Sequence, residues 1–228
     1  MIFDDRIKIV AFDADDTLWE NETLYRATER EFCKLLSSYM DEQELICKLF
    51  STEISNLPSF GYGIKSFILS MVETALKITD YKIESETIEK IIDLGRKQIN
   101  MPVQLLSGVK EVLDAFYGRY RLVLATKGEL LEQERKLNKS GLRHYFHHIE
   151  IMSEKNIESY KEMLKHLDCR PEEFLMIGNS IKSDILPVLE LGGNAIHIPF
   201  HITWQHEEVD CTIDNPRFMK LTSITDLL

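Results

Sequence analysis

Residues 9–20 read IVAFDADDTLWE. The apolar run Ile9-Val10-Ala11-Phe12 passes directly into Asp13, Asp15 and Asp16. Carboxylates this close repel one another, and a neighbouring core raises the cost of keeping them charged. The run itself belongs to IKIVAF, residues 7–12, rich in β-branched side chains, as expected of a strand buried on both faces. The acids therefore stand at the carboxyl end of a buried strand, and the crowding points to a positive partner held among them.

Working outward, similar runs recur at YRLVLAT (120–126), HIEIM (148–152), EFLMIG (173–178) and NAIHIP (194–199). Helical patterns separate them: GELLEQERKLNKSG, with Gly141 as its stop, SYKEMLKHL, and a segment from Ser183 to Leu191 that contains Pro187 and ends at Gly192-Gly193. Strand and helix in alternation predict an α/β fold, a parallel sheet with helices on both faces. The gap between the first two strands is far longer than a crossover needs. GVKEVLDAFYG (108–118) already supplies the crossover helix, so residues 19–101 are surplus. They read as four helices, within LYRATEREFCKLLSSYM, DEQELICKLF, KSFILSMVETALKI and ETIEKIIDLGRKQI, the second opened by Asp41 and Glu44 in a capping-box spacing. The predicted organisation is an α/β core of residues 1–18 and 102–228, with an all-helical domain at 19–101.

Composition narrows the function. A hydrophobic share of 44% and a charged share of 29% describe an ordinary globular chain, and a net charge of −11 disfavours nucleic acid and anionic membrane as partners. No apolar run reaches the ~18–20 residues of a membrane span. MIFDDRIKIV lacks the basic start and cleavage site of a leader, and the four cysteines form no CxxC pair, so a cytoplasmic protein with free thiols is expected. No stretch assigns an oligomeric interface.

Ligands of parallel sheets bind beyond the carboxyl ends of the strands. Asp13 and Asp15 lie there, with Thr126 and Lys127 after the second strand, Lys155 after the third, and Gly178, Asn179, Ser180 and Asp184 after the fourth. The set DADDT, LATKG, SEK and GNSIKSD resembles the four motifs of the haloacid dehalogenase-like hydrolases, which also carry a helical cap after the first strand of a Rossmann-like core.

The resemblance implies a phosphatase for a small phosphorylated metabolite. Asp13 would be the nucleophile and form an aspartyl-phosphate, and Asp15 the general acid and base. Thr126 would hold a phosphoryl oxygen, and Lys155 would balance charge. Asp13, the Asp15 carbonyl, Asn179 and Asp184 would bind Mg²⁺. With Asp15 protonated, the bound site would carry one net positive charge. Two positions depart from the family pattern: Asn179 replaces an aspartate, and Asp16, expected as a solvated turn residue or a cap, replaces a glycine. Lys161 is a rival to Lys155, less favoured because it lies mid-helix. A phosphomutase, a 2-haloacid dehalogenase using the same aspartate, and a non-catalytic binding module are the competing functions. Trp19, Glu20 and the loop SFGYGIKSF (59–67) are candidates for substrate contact, while HITWQHEE (201–208) follows the last strand and borders the site. The histidine spacing does not suit zinc.

Overall fold

The computed structural model describes residues 6–228; the start of MIFDDRIKIV, and of the core domain predicted from residue 1, lies outside them. Six parallel strands form one sheet: β1 (Ile9–Phe12), β2 (Arg121–Lys127), β3 (His148–Met152), β4 (Phe174–Gly178), β5 (Asn194–His197) and β6 (Phe218–Lys220), in the order β3-β2-β1-β4-β5-β6. β1 is central, with Phe12 opposite both Leu124 and Ile177. This register brings the ends of β1, β2 and β4 to one edge.

Alternation along the strands sorts the core into two layers. Val10, Phe12, Leu122, Leu124, Leu175 and Ile177 pack with α5 (Val109–Phe116) and with Leu137 of α6 (Leu130–Ser140). Ile9, Ala11, Val123, Ala125 and Met176 pack on the other face with Tyr160 and Met163 of α7 (Ile157–His166). Both faces are covered, which is why β1 and β4 are apolar at every position.

The expected helix from Ser183 to Leu191 is two elements. Ile181–Ile185 is a wide π turn, and a short helix, Leu186–Glu190, follows it. Pro187 falls in the first turn of that helix, where no intrahelical partner for an N–H is needed. β6 has no counterpart in the sequence reading. It is three residues long and partly exposed, and pairs only with β5.

The chain divides into two compact units, one running through Glu22 and resuming over Val103–Leu228, the other Thr23–Pro102. The second holds most of α1 (Glu22–Leu36) and all of α2 (Glu42–Phe60), α3 (Ile64–Ile78) and α4 (Ser85–Asn100). Its core gathers Phe32, Leu36, Leu45, Leu49, Met71, Ala75 and Ile91. The predicted loop 59–67 shrinks to Gly61-Tyr62-Gly63, because α2 continues past Pro58 and α3 begins at Ile64. Both glycines have positive φ (67° and 105°), a conformation that a side chain would strain. Among the described residues, no helix is long and apolar enough to cross a membrane.

Candidate active site

The β1 loop is built by its own backbone. Asp13 N–H donates to the Ile177 carbonyl at 2.9 Å, continuing the β1–β4 pairing by one residue. The Ala14 carbonyl then accepts from Leu18 N–H at 2.8 Å, and Asp16 turns the chain with φ of 61°. Asp16 is not solvated: it is 7% exposed and caps α1, accepting from Asn21 N–H (2.8 Å) and Glu22 N–H (3.1 Å). Burial raises its carboxyl to about 8, against the lowering effect of the Asn21 hydrogen bond.

Asp13, Lys155 and Asp184 form the centre, exposed by 6%, 4% and 1%. Lys155 Nζ donates to Asp13 Oδ1 at 2.5 Å and to Asp184 Oδ1 at 2.6 Å. Burial favours a neutral amine, yet the two carboxylates hold Lys155 above its ordinary range. Burial raises Asp13 to about 7; Lys155 pulls the other way, and Asp184 adds to the rise. Lys161 lies elsewhere, exposed and 3.8 Å from Glu158. Asp184 owes its place to Gly178, since a Cβ there would stand 2.2 Å from Asp184 Oδ2. That oxygen accepts from Ser180 N–H at 2.9 Å. Asn179 turns its side-chain oxygen to Thr17, whose hydroxyl lies 3.3 Å from it and 3.0 Å from Asp13 Oδ2. His197 Nε2 donates to the Asn179 carbonyl at 2.9 Å, at the end of β5.

Asp15 meets three donors: Trp19 Nε1 at 2.6 Å, Gln133 Nε2 at 3.1 Å, and Lys136 Nζ at 2.7 Å from both oxygens. Trp19 is completely buried, so it supports Asp15 rather than facing a substrate. Gln133 Nε2 also donates to Thr126 Oγ1 at 2.7 Å, and Thr126 is 1% exposed. Gln133 and Lys136 were missed in the sequence. They stand three apart on one face of α6, the only available signal, and polar pairs at that spacing usually face water.

Lys127 reaches Glu207 Oε1 at 2.5 Å and Ser183 Oγ at 3.0 Å. Glu207 falls within HITWQHEE, the stretch expected to border the site, but its own role was not legible there. Burial acts to raise its carboxyl, but the Lys127 charge and the hydrogen bonds from Lys127, Ser180 and Ser183 prevail and hold it at about 2. Trp204 packs beside His206, with ring centres 5.0 Å apart and planes tilted by 52°.

Among the described residues, no three His, Cys, Asp or Glu side chains converge as a metal cluster. The donors linked through Lys155 and Thr17 are two carboxylates, Asp13 and Asp184, with the Asn179 amide oxygen, an all-oxygen set that suits Mg²⁺. The charge balance also fits a cation. Two buried carboxylates face one ammonium, 2.5 and 2.6 Å away, so a further positive charge would complete the balance.

Residues 7–192 match the haloacid dehalogenase-like hydrolase family. A haloacid dehalogenase-like family hydrolase from Xanthomonas campestris is 40% identical, with a TM-score of 0.88 over 97% of this chain and 89% of that one. Human N-acylneuraminate-9-phosphatase is 25% identical over 198 residues, 82% of this chain and 80% of that protein. Glyceraldehyde 3-phosphate phosphatase from Methanothermobacter thermautotrophicus is 34% identical over 89 residues, 37% of this chain and 39% of that protein, so the chain matches well under half of its length. Two haloacid dehalogenases, from Pseudomonas syringae and Xanthobacter autotrophicus, also share the fold, at 19% and 16% identity.

Proposed function

The chain belongs to the haloacid dehalogenase-like hydrolases, and from that premise we propose that it is a Mg²⁺-dependent phosphatase acting on a small phosphorylated metabolite in the cytoplasm. The observation that carries the reading is the buried Asp13–Lys155–Asp184 set with Asp15 two residues from the nucleophile. An Asp13 oxygen would attack phosphorus as the ester P–O bond breaks, giving an aspartyl-phosphate. Asp15 would give its proton to the leaving oxygen, then take one from the water that attacks phosphorus, so that inorganic phosphate leaves and both acids are restored. Lys136 and Trp19 would hold Asp15 in position. The Thr126 hydroxyl accepts from Gln133, and among the described residues only a 3.5 Å contact to the Lys127 carbonyl competes for its own proton, which suits donation to a phosphoryl oxygen. When bound by Asp13, Asp184, Asn179 and the Asp15 carbonyl, Mg²⁺ would supply charge neutralisation between the carboxylate and the phosphate.

The helical unit Thr23–Pro102 is read as the cap that selects the organic half of the substrate. The activities of the two phosphatase relatives favour a phosphorylated sugar acid or triose as the class to test first. All four cysteines are free thiols, which suits a reducing compartment.

The test is hydrolysis of p-nitrophenyl phosphate with and without Mg²⁺, for the native protein and Asp13→Asn. Metal-dependent turnover that disappears in the variant is expected. Halide release from a 2-haloacid without metal would instead assign the dehalogenase, a chemistry that needs neither a metal nor an acid at the position of Asp15.

A further inference from the structure

The segment after β5 returns to the sheet edge and grips the loop that carries Asn179 and Asp184. Gln205–Glu207 is a single 3₁₀ turn, closed by Glu207 N–H donating to the Trp204 carbonyl at 2.8 Å. From it, Glu207 Oε2 accepts from both Ser180 Oγ and Ser183 Oγ at 2.6 Å. Its other oxygen receives Lys127 from the end of β2. Lys182, between the two serines, donates to the His206 carbonyl at 2.8 Å. Ser180 also accepts from Ser183 N–H at 3.0 Å, which closes the π turn from inside.

These contacts bracket the loop. Ser180 directly follows Asn179 and gives its N–H to Asp184, and Ser183 directly precedes Asp184. A wide turn opening a short, proline-containing helix has little stiffness of its own, so the position of Asp184 depends on what holds the serines. The Glu207 side chain is 10% exposed, dry enough for charged hydrogen bonds at 2.6 Å to resist water.

We propose that Glu207 is a positioning residue that clasps the 179–184 loop to the end of β2 and thereby sets the affinity of the site for its divalent cation. The inference rests on the reading of Asp13, Asn179 and Asp184 as cation ligands. Residues behind metal ligands typically govern affinity by about 10–100-fold.

The experiment is calorimetric titration of the full chain with Mg²⁺, beside thermal melts and p-nitrophenyl phosphate turnover, for the native protein, Glu207→Ala, Glu207→Gln and Ser183→Ala. Glu207→Ala is expected to weaken Mg²⁺ binding by about 10-fold or more while saturating Mg²⁺ restores most of the turnover. Glu207→Gln retains an acceptor and guards against a misfolded alanine variant; it should fall between the two. Ser183→Ala changes no charge, so a loss of affinity there separates positioning from simple electrostatics. Native-like Mg²⁺ affinity in Glu207→Gln and Ser183→Ala overturns the clasp and leaves the phosphatase reading intact. Absence of Mg²⁺ binding and turnover in the native protein overturns that reading and the clasp with it.

Discussion

Replacing Lys155 by methionine tests the charge balance at the centre of the site. Methionine is similar in length and apolar, so it fills the space while removing the ammonium that touches Asp13 and Asp184 at 2.5 and 2.6 Å. Two almost fully buried carboxyls would then face each other without a cation. Breaking a buried pair by removing one partner costs about 3–5 kcal/mol. For a chain of this size each kcal/mol lowers the melting temperature by roughly 2–4 °C, so a drop of roughly 10 °C is expected. The loss must depend on pH. Asp13 is already raised to about 7, above its unfolded value of 3.8, and losing Lys155 raises it further. A raised carboxyl contributes stability below its unfolded pKa and loses it as pH rises through the folded one. The variant should therefore be more nearly native at pH 5 than at pH 8, and Mg²⁺ should recover part of the deficit at pH 8. Urea melts at both pH values, with and without Mg²⁺, measure this. A deficit under about 1 kcal/mol at pH 8, or one equal at both pH values, refutes the reasoning.

Other substitutions probe the supports. Gly178→Ala would drive a methyl into the Asp184 carboxylate, and loss of Mg²⁺-dependent turnover with a lowered melting temperature is expected; full activity would show that the loop yields easily. Asp16→Ala removes the cap on α1 and leaves a non-glycine residue with left-handed φ, a combined cost of about 2–3 kcal/mol in thermal melts. Asp16→Asn keeps an acceptor and tolerates that φ, so it should stay within about 1 kcal/mol of native. Because Asp16 is raised to about 8 from 3.8, the native protein should lose stability relative to Asp16→Asn as pH rises from about 4 through 8. A difference that is flat or opposite in sign would show that Asp16 is not desolvated.

The sheet could be read because its strands are nearly pure apolar runs: Ile9–Phe12 and Phe174–Gly178 are buried throughout, and no other pattern explains them. β6 escaped notice because Phe218–Lys220 has neither the length nor the alternation to signal a strand. The wide turn at Ile181–Ile185 was equally hidden. Locally the segment reads as helix, and only the approach of Asp184 to Gly178 shows why its first turn is broad. Acids and lysines at strand ends stood out because packing gives no reason for them there. Gln133 and Lys136 did not, since a polar helix face needs no explanation until the helix is placed beside Asp15. Glu207 lies beyond the last apolar run, where sequence offers no period to reason from. Trp19 was misjudged because a tryptophan beside a charged cluster reads as a ligand contact, whereas its ring is sealed inside and its N–H is committed to Asp15.

The central place of β1 shapes how the molecule is made. Ile9 must find Arg121 on one side and Phe174 on the other, so β1 is complete only after the chain through β4 has emerged. At 5–20 residues per second that wait is on the order of 10 s. Meanwhile Thr23–Pro102, a contiguous set of helices with largely local partners, is free to assemble first. The acid that would attack phosphorus is thus synthesised well before Lys155 and Asp184, and reaches its working surroundings only once both have followed.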